Sequence, residues 1–262
     1  MRFHEYYLRQ IIQSTASILA KVLFLPTHPI YKKLVKEATK LAQANTEKYW
    51  LDEKSPLWEF LSKNGVKYQM GIVPPYSDGG AGRAYFLGKY VVKFSDNRVE
   101  ANVAQMVKGN TSLPTVVIDV EYIDKGLYAI LQPFVEMNNI PQEIKKASDY
   151  LTAVVDSHPD MQGFPSDKET QEKLCKQALE KNGGDPSLLP SMMVLIDLLS
   201  KMYQSTGFHH DDASPTNIGM HQGRIVIPDL GPNQTSNFDS LKALKQIRTN
   251  REKLGLPPHK SI

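Results

Sequence analysis

The sequence predicts an α+β chain in three blocks: a helical leader, a small antiparallel sheet with one helix, and a mostly helical remainder. Three observations predict it. Apolar residues recur at three- and four-residue spacing up to about residue 65, the period of an α-helix. Between about residues 66 and 135, short β-branched and aromatic runs alternate with glycine-containing turns, the pattern of antiparallel hairpins. After residue 136 the helical spacing returns.

The 262 residues amount to one large domain or two small ones, enough to bury a core without disulfide or metal staples. Hydrophobic residues make up 41% and charged residues 23%, which excludes disorder, collagen and coiled coil as whole-chain descriptions. Lysine plus arginine is 31 and aspartate plus glutamate 28, so the net charge of +3 gives no reason to expect a nucleic-acid partner. Cys175 is the single cysteine, which forbids an intramolecular disulfide and suits a reducing, cytoplasmic compartment.

In the leader, residues 1–65, the most apolar stretch is Ile11 to Leu25. It contains Gln13 and Lys21 and is shorter than the roughly 20 apolar residues of a membrane span. Leu25-Pro26-Thr27-His28 follows it and is no small-residue cleavage signal. Its apolar positions, from Leu8 to Leu23, sit near helical spacing, which predicts an amphipathic helix packed on a core. A membrane-surface helix would need a more basic polar face. Tyr31 to Leu61 continues the helical pattern, punctuated by Pro29 and Pro56.

Residues 66–135 predict strands at Arg83 to Leu87, Tyr90 to Phe94, Thr115 to Tyr122 and Leu127 to Gln132. Gly88-Lys89 and Asp124-Lys125-Gly126 are hairpin turns, and Val99 to Val107 is a helix. In residues 136–262, Pro190 to Thr206 reads as an apolar helix, and Pro159 to Asp185 as a polar, exposed excursion. Two short strands, Ile218 to Met220 and Arg224 to Ile227, flank His221-Gln222-Gly223. From Asn237 a basic helix runs to Gly255-Leu256-Pro257-Pro258. Its Lys242, Lys245, Arg248, Arg251, Lys253 and Lys260 read first as a solvated face, and otherwise as a contact for nucleic acid or an acidic partner. A sheet set beside helices leaves a cleft, a frequent place for a small-molecule site.

The segment richest in chemistry is His210-Asp211-Asp212-Ala213-Ser214-Pro215-Thr216-Asn217, followed by Ile227-Pro228-Asp229-Leu230-Gly231. Asn217 precedes the first short strand and Asp229 follows the second. A hairpin brings its open ends together, so an amide oxygen and a carboxylate meet there as hard oxygen ligands suited to Mg²⁺ with phosphate. Asp212 lies one tight loop away, free to face a substrate. Upstream, Gly79-Gly80-Ala81-Gly82 is a glycine run whose amides could approach phosphate oxygens, and Val91-Val92-Lys93 puts Val91 and Lys93 on one strand face. Glu100 is the nearest acid on the following helix. Each residue also has an ordinary structural reading: a turn former, a snorkelling lysine, a first-turn acid favoured by the helix dipole. His209 and His210 have no third soft ligand nearby for zinc, and His210 reads as a brace for the loop.

Asp212 to Asn217 resembles the catalytic loop of the protein-kinase-like superfamily, His-x-Asp-x-x-x-x-Asn, and Asp229-Leu230-Gly231 resembles its Asp-Phe-Gly motif. Ser-Pro-Thr-Asn is similar to the His-Pro-Gly-Asn of aminoglycoside phosphotransferases, whereas the arginine of His-Arg-Asp is missing. Gly80-Ala81-Gly82 resembles the first half of the glycine-rich loop, with Tyr85 in place of its third glycine, and Val91-Val92-Lys93 resembles Val-Ala-Ile-Lys. The layout, a helical leader and little chain after Asp229, is similar to that of some phage-encoded kinases.

The resemblance implies a bilobal fold with a truncated helical lobe, and ATP and Mg²⁺ as cofactors. It implies transfer of the γ-phosphoryl group to a hydroxyl of a protein or a small molecule. Gly79, Gly80 and Gly82 would cover the phosphates, and Val91, with Gln132 and Phe134 at the hinge, would hold the adenine. Lys93, paired with Glu100, would fix the α and β phosphates. Asn217 and Asp229 would bind the metal, and Asp212 would orient or deprotonate the hydroxyl. Three readings stand: an atypical protein serine/threonine kinase, a small-molecule kinase, and a nucleotide-binding pseudokinase or scaffold.

Overall fold

The computed structural model describes residues 29–44, 56–63, 67–68, 82–86, 89–124, 126–137, 139–157, 163–210, 214–231 and 239–259. The helix expected over Ile11 to Leu25 lies outside these residues. The fold is α+β: helices and a five-stranded antiparallel sheet of order β1-β2-β3-β5-β4. Its strands are β1 Lys67–Tyr68, β2 Gly82–Phe86, β3 Tyr90–Ser95, β4 Asp119–Asp124 and β5 Leu127–Pro133.

Register decides what each face of this sheet does. Tyr85 of β2 lies opposite Val92 of β3, which lies opposite Leu131 of β5, and Phe94 lies opposite Ala129. Because side chains alternate along a strand, these residues share one face. Helix α1, Pro29–Ala44, covers it with Tyr31, Leu34 and Ala38, all fully buried and spaced three and four apart. The Tyr31 hydroxyl donates to the Ala129 carbonyl at 3.2 Å, and Lys32 reaches both Asp119 and Glu121 on β4. Helix α2, Pro56–Lys63, adds Phe60 to the same cluster.

The opposite face carries Lys93, between Ala84 and Ile130, and beyond them Val120. Helix α3, Arg98–Val107, packs there through Val99, Val103, Ala104 and Val107. Asn97 caps it, its side-chain oxygen accepting from the amides of Val99 and Glu100 at 3.0 and 3.2 Å, satisfying two donors at the helix start.

Strand β4 starts later than the β-branched run Thr115-Val116-Val117-Ile118 predicts. Backbone bonds outside the β4–β5 ladder hold part of that run in an irregular path, although the Ile118 amide already donates to the Leu131 carbonyl at 2.8 Å. The Gly109 amide donates to the Val117 carbonyl at 2.9 Å, and the Ile227 amide donates to the Pro114 carbonyl at 2.6 Å.

The second core is helical: α4 Gln142–Ser157, α5 Lys168–Lys181 and α6 Leu189–Thr206 bury Ile144, Leu151, Leu174, Cys175, Leu179, Ile196 and Leu199 together. The expected polar excursion over Pro159 to Asp185 is therefore, across residues 168–181, a core helix. Its apolar stripe is narrow but wholly inward. Burial pushes the Cys175 thiol up to about 12, so it stays protonated and inert.

Strands β6 Gly219–His221 and β7 Arg224–Val226 form the predicted hairpin. Gln222 (φ 51°) and Gly223 (φ 76°) make its turn, the left-handed pair that fits the twist of a two-residue loop. The hairpin is tied to the sheet side by Arg224, whose guanidinium donates to the carbonyls of Thr111 and Leu113 at 2.6 and 3.0 Å. Helix α7, Ser240–Lys253, closes the described chain. Arg251, expected on its solvated face, is instead buried. Among the described residues no helix is long and apolar enough to cross a membrane.

Candidate functional site

Lys93 on β3 and Asp229 beyond β7 are 136 residues apart in sequence, yet Lys93 Nζ lies 3.0 Å from Asp229 Oδ1. The same ammonium lies 2.5 Å from Glu100 Oε1. Lys93 and Glu100 are both buried. The sequence-predicted residues Lys93, Glu100 and Asp229 thus meet as one ammonium between two carboxyl groups.

Each member is held by its own local structure. Lys93 sits in the middle of β3, paired with strands on both sides. Glu100 is in the first turn of α3, and its second oxygen accepts from the Ser95 hydroxyl at 2.7 Å. Ser95 in turn accepts from the Asn97 amide at 3.1 Å, so Ser95, Asn97 and Glu100 form one brace at the helix start.

Asp229 Oδ1 also accepts from the Gly231 amide at 3.0 Å, which fixes the turn Asp229-Leu230-Gly231. A side chain at 231 would crowd that same oxygen at 3.2 Å and the Asn97 amide nitrogen at 3.4 Å, so glycine lets the turn sit against the start of α3. The Asp229 amide donates to Asn217 Oδ1 at 3.2 Å. Its carbonyl accepts from His210 Nε2 at 2.7 Å; His210 lies at the other end of the 210–217 loop.

The electrostatics follow from sharing one cation. Burial disfavours the charge on Lys93, but Asp229 and Glu100 outweigh it and hold the ammonium above the ordinary lysine range. Burial also works against Asp229, yet Lys93 and the Gly231 amide bring its carboxyl below the usual range. Glu100 goes the other way. Burial pushes it up to about 7 despite Lys93, with Asp229 adding repulsion. Asp229 is thus the stronger acid of the two.

Asn217 and Asp229 each offer a hard side-chain oxygen that suits Mg²⁺, and the bond from the Asp229 backbone amide to Asn217 Oδ1 sets the two residues side by side. No group of three or more His, Cys, Asp or Glu among the described residues is arranged to hold an ion alone. An ion held here would therefore draw further ligands from phosphate and water.

Val91 shares the Lys93 face of β3 and is buried. Gln132 is also buried, but its side-chain amide donates to the Pro228 carbonyl at 2.8 Å, tying the end of β5 to the residue before Asp229. The Phe134 amide donates to the Lys89 carbonyl at 2.8 Å and its carbonyl meets His221 Nδ1 at 3.3 Å. Both backbone groups that a hinge would offer an adenine at 134 thus have partners within the fold. Gly82 opens β2 opposite Ser95. Gly79, Gly80 and Asp212 lie outside the described residues.

Sequence reasoning missed Ser95, Asn97 and the Gln132 link. A readable signal for the first two was Ser95-Asp96-Asn97 immediately before an acid-bearing helix, an N-cap pattern.

No protein-family model and no curated protein matches the chain. Among solved structures it is similar to the GDP and kanamycin complex of the aminoglycoside phosphotransferase APH(2")-IIia, at 13% identity over 74% of this chain and 78% of that one. The TM-score is 0.25, too loose a superposition to bear on the chemistry of this chain.

Proposed function

We propose that the chain is an ATP- and Mg²⁺-dependent phosphotransferase of the protein-kinase-like superfamily. The observation that carries this reading is the approach of the Lys93 ammonium to both Glu100 and Asp229, from sites 7 and 136 residues away in sequence. A strand lysine, a helix acid and the acid of an Asp-x-Gly turn are the parts with which a protein-kinase-like site holds nucleotide phosphates.

In this reading Lys93, steadied by Glu100, binds the α and β phosphates. Asn217 and Asp229 would hold Mg²⁺, which when bound offsets the charge of the phosphates. Asp212 accepts the proton as the acceptor oxygen forms its bond to the γ phosphorus. The bond from that phosphorus to the β–γ bridging oxygen breaks and ADP leaves. Gly79, Gly80 and Gly82 cover the phosphates, and Val91 packs on the adenine. The protein's contribution is placement and fixed charge.

The acceptor we propose is a serine or threonine hydroxyl of a protein. The sequence after the hinge shows no evident acidic, aromatic-lined acceptor subdomain of the kind a small-molecule kinase would carry, and a small-molecule hydroxyl is the second reading.

Asp229→Ala, assayed with γ-labelled ATP, is expected to lower transfer by about a hundredfold or more. Undiminished turnover overturns the reading. Label on proteins supports the proposed acceptor, and label on small metabolites alone replaces it with the small-molecule kinase. Thermal stabilisation by MgATP without any transfer leaves a nucleotide-binding scaffold.

A further inference from the structure

Helix α7 carries none of the site residues, yet it is anchored at the root of the loop that leads to them. Arg251 lies 9% exposed, and its guanidinium donates to the carbonyls of Ser205 and Thr206 at 3.3 and 3.2 Å and to the Pro257 carbonyl at 2.7 Å. The first two are among the last carbonyls of α6, which have no partners within their own helix. Asn250 donates from its side-chain amide to the Gly207 carbonyl at 2.9 Å.

The approach is backbone on backbone. Gly207 (φ 73°) ends α6, and a side chain there would meet the Ile247 carbonyl at 2.9 Å and the Arg251 amide at 3.0 Å. From Gly207 the chain runs through Phe208 to His210, which holds the Asp229 carbonyl.

The same helix also reaches α3. The Arg251 guanidinium lies 3.5 Å from the sulfur of Met106. Ile247 is buried in one cluster with Val99 and Val103 of α3, Met202, Phe208, and Leu230 of the Asp-Leu-Gly turn. A guanidinium offers several donors in a fixed plane, so one side chain can bind α6, the tail and α3 together.

We propose that Arg251 is a positioning residue: by joining the end of α6 to α3 it holds Glu100 and the Asp229 turn in mutual register, so that α7 is a working part of the phosphotransfer site. This rests on the reading of the site as a phosphotransferase centre, and its test keeps the two apart.

Hydrogen exchange of the 262-residue chain is compared for wild type, Arg251→Met, Arg251→Lys and, as a control on the exposed face of α7, Arg248→Met. In Arg251→Met the amides of residues 98–107 and 227–231 are expected to exchange about tenfold faster, while residues 168–181 stay as in wild type. Arg251→Lys, which keeps the charge but loses the planar fork, is expected to show the same pattern at about threefold. It carries the test if the methionine variant does not fold.

In parallel, Arg251→Met should lower kcat about tenfold, with KM for ATP within about twofold of wild type. Acceleration confined to residues 205–207 and 240–253, or spread evenly over every helix, overturns the proposal, because Arg251 would then be a local or global stabiliser only. An unchanged kcat in a folded Arg251→Met variant overturns it equally. If wild type transfers no phosphate, the phosphotransferase reading fails and the exchange pattern still decides whether Arg251 sets the register.

Discussion

The two faces of strand β3 lie one residue apart and do opposite things. Val92 and Phe94 face helix α1 in an apolar cluster with Tyr31, Leu34 and Leu131. Lys93 faces the start of α3 and meets two carboxyl groups. The first face is held by the removal of apolar surface from water, a non-directional gain that tolerates changes of shape. The second is held by charge and geometry in a buried setting, where losing one partner leaves the others exposed to the full cost of burial. One face secures the strand; the other uses that security to keep an ammonium in place.

Three substitutions would break or sharpen this contrast. The largest effect is expected for Lys93→Met, which should abolish phosphate transfer and lower unfolding free energy by about 3–5 kcal/mol, since two carboxyl groups lose their cation. Chemical denaturation and labelled-ATP assays read both; a variant as active as wild type removes Lys93 from the site.

Next comes the apolar face. Leu34→Ala should cost about 2–5 kcal/mol through lost burial and the cavity left behind, with kcat close to wild type well below the melting temperature. A large loss of kcat in the folded variant would mean that α1 shapes the site as well as covering the sheet.

The smallest effect is a pH slope. The Glu100 carboxyl rises from its ordinary 4.5 to about 7 in the folded protein. Between those values the folded state binds a proton that the unfolded state has released, so this group makes stability fall as pH rises across the window. The slope is on the order of 1 kcal/mol per pH unit. Glu100→Gln should flatten it, and denaturant midpoints measured from pH 4.5 to 7 would show an unaltered slope if Glu100 is not the group responsible.

What was legible in the sequence follows the same division. Strands β2, β3 and β5 are readable because β-branched and aromatic runs end at turn residues, and α6 because apolar residues dominate it from Met192 to Leu199. The α5 helix is not, because only a narrow stripe of Leu174, Cys175, Ala178 and Leu179 is apolar in an otherwise polar segment. The start of β4 is not, because Thr115 to Ile118 have the same propensity as the strand and only pairing separates them.

In the site, Lys93, Asn217 and Asp229 stand out together, because an ammonium in an apolar run and an amide and acid flanking a hairpin occur in one order and spacing, although each alone has an ordinary structural use. Ser95, Asn97, Gln132 and Arg251 do not stand out. Each is an ordinary polar residue whose importance lies in which buried group it faces, and that is decided by chain segments far away in sequence.

The Glu136 and Met220 backbones exchange hydrogen bonds, each 2.9 Å, just after β5 ends, and Gly219 leaves no room beside Val135 for a side chain. The crossover is thus a double-stranded stitch instead of a single loose thread. Together with the Gln132–Pro228 bond and the two bonds from Arg224 to the carbonyls of Thr111 and Leu113, the stitch joins the sheet and the helices at several separate points, so that the ammonium of one side and the carboxylate of the other are held at a fixed spacing.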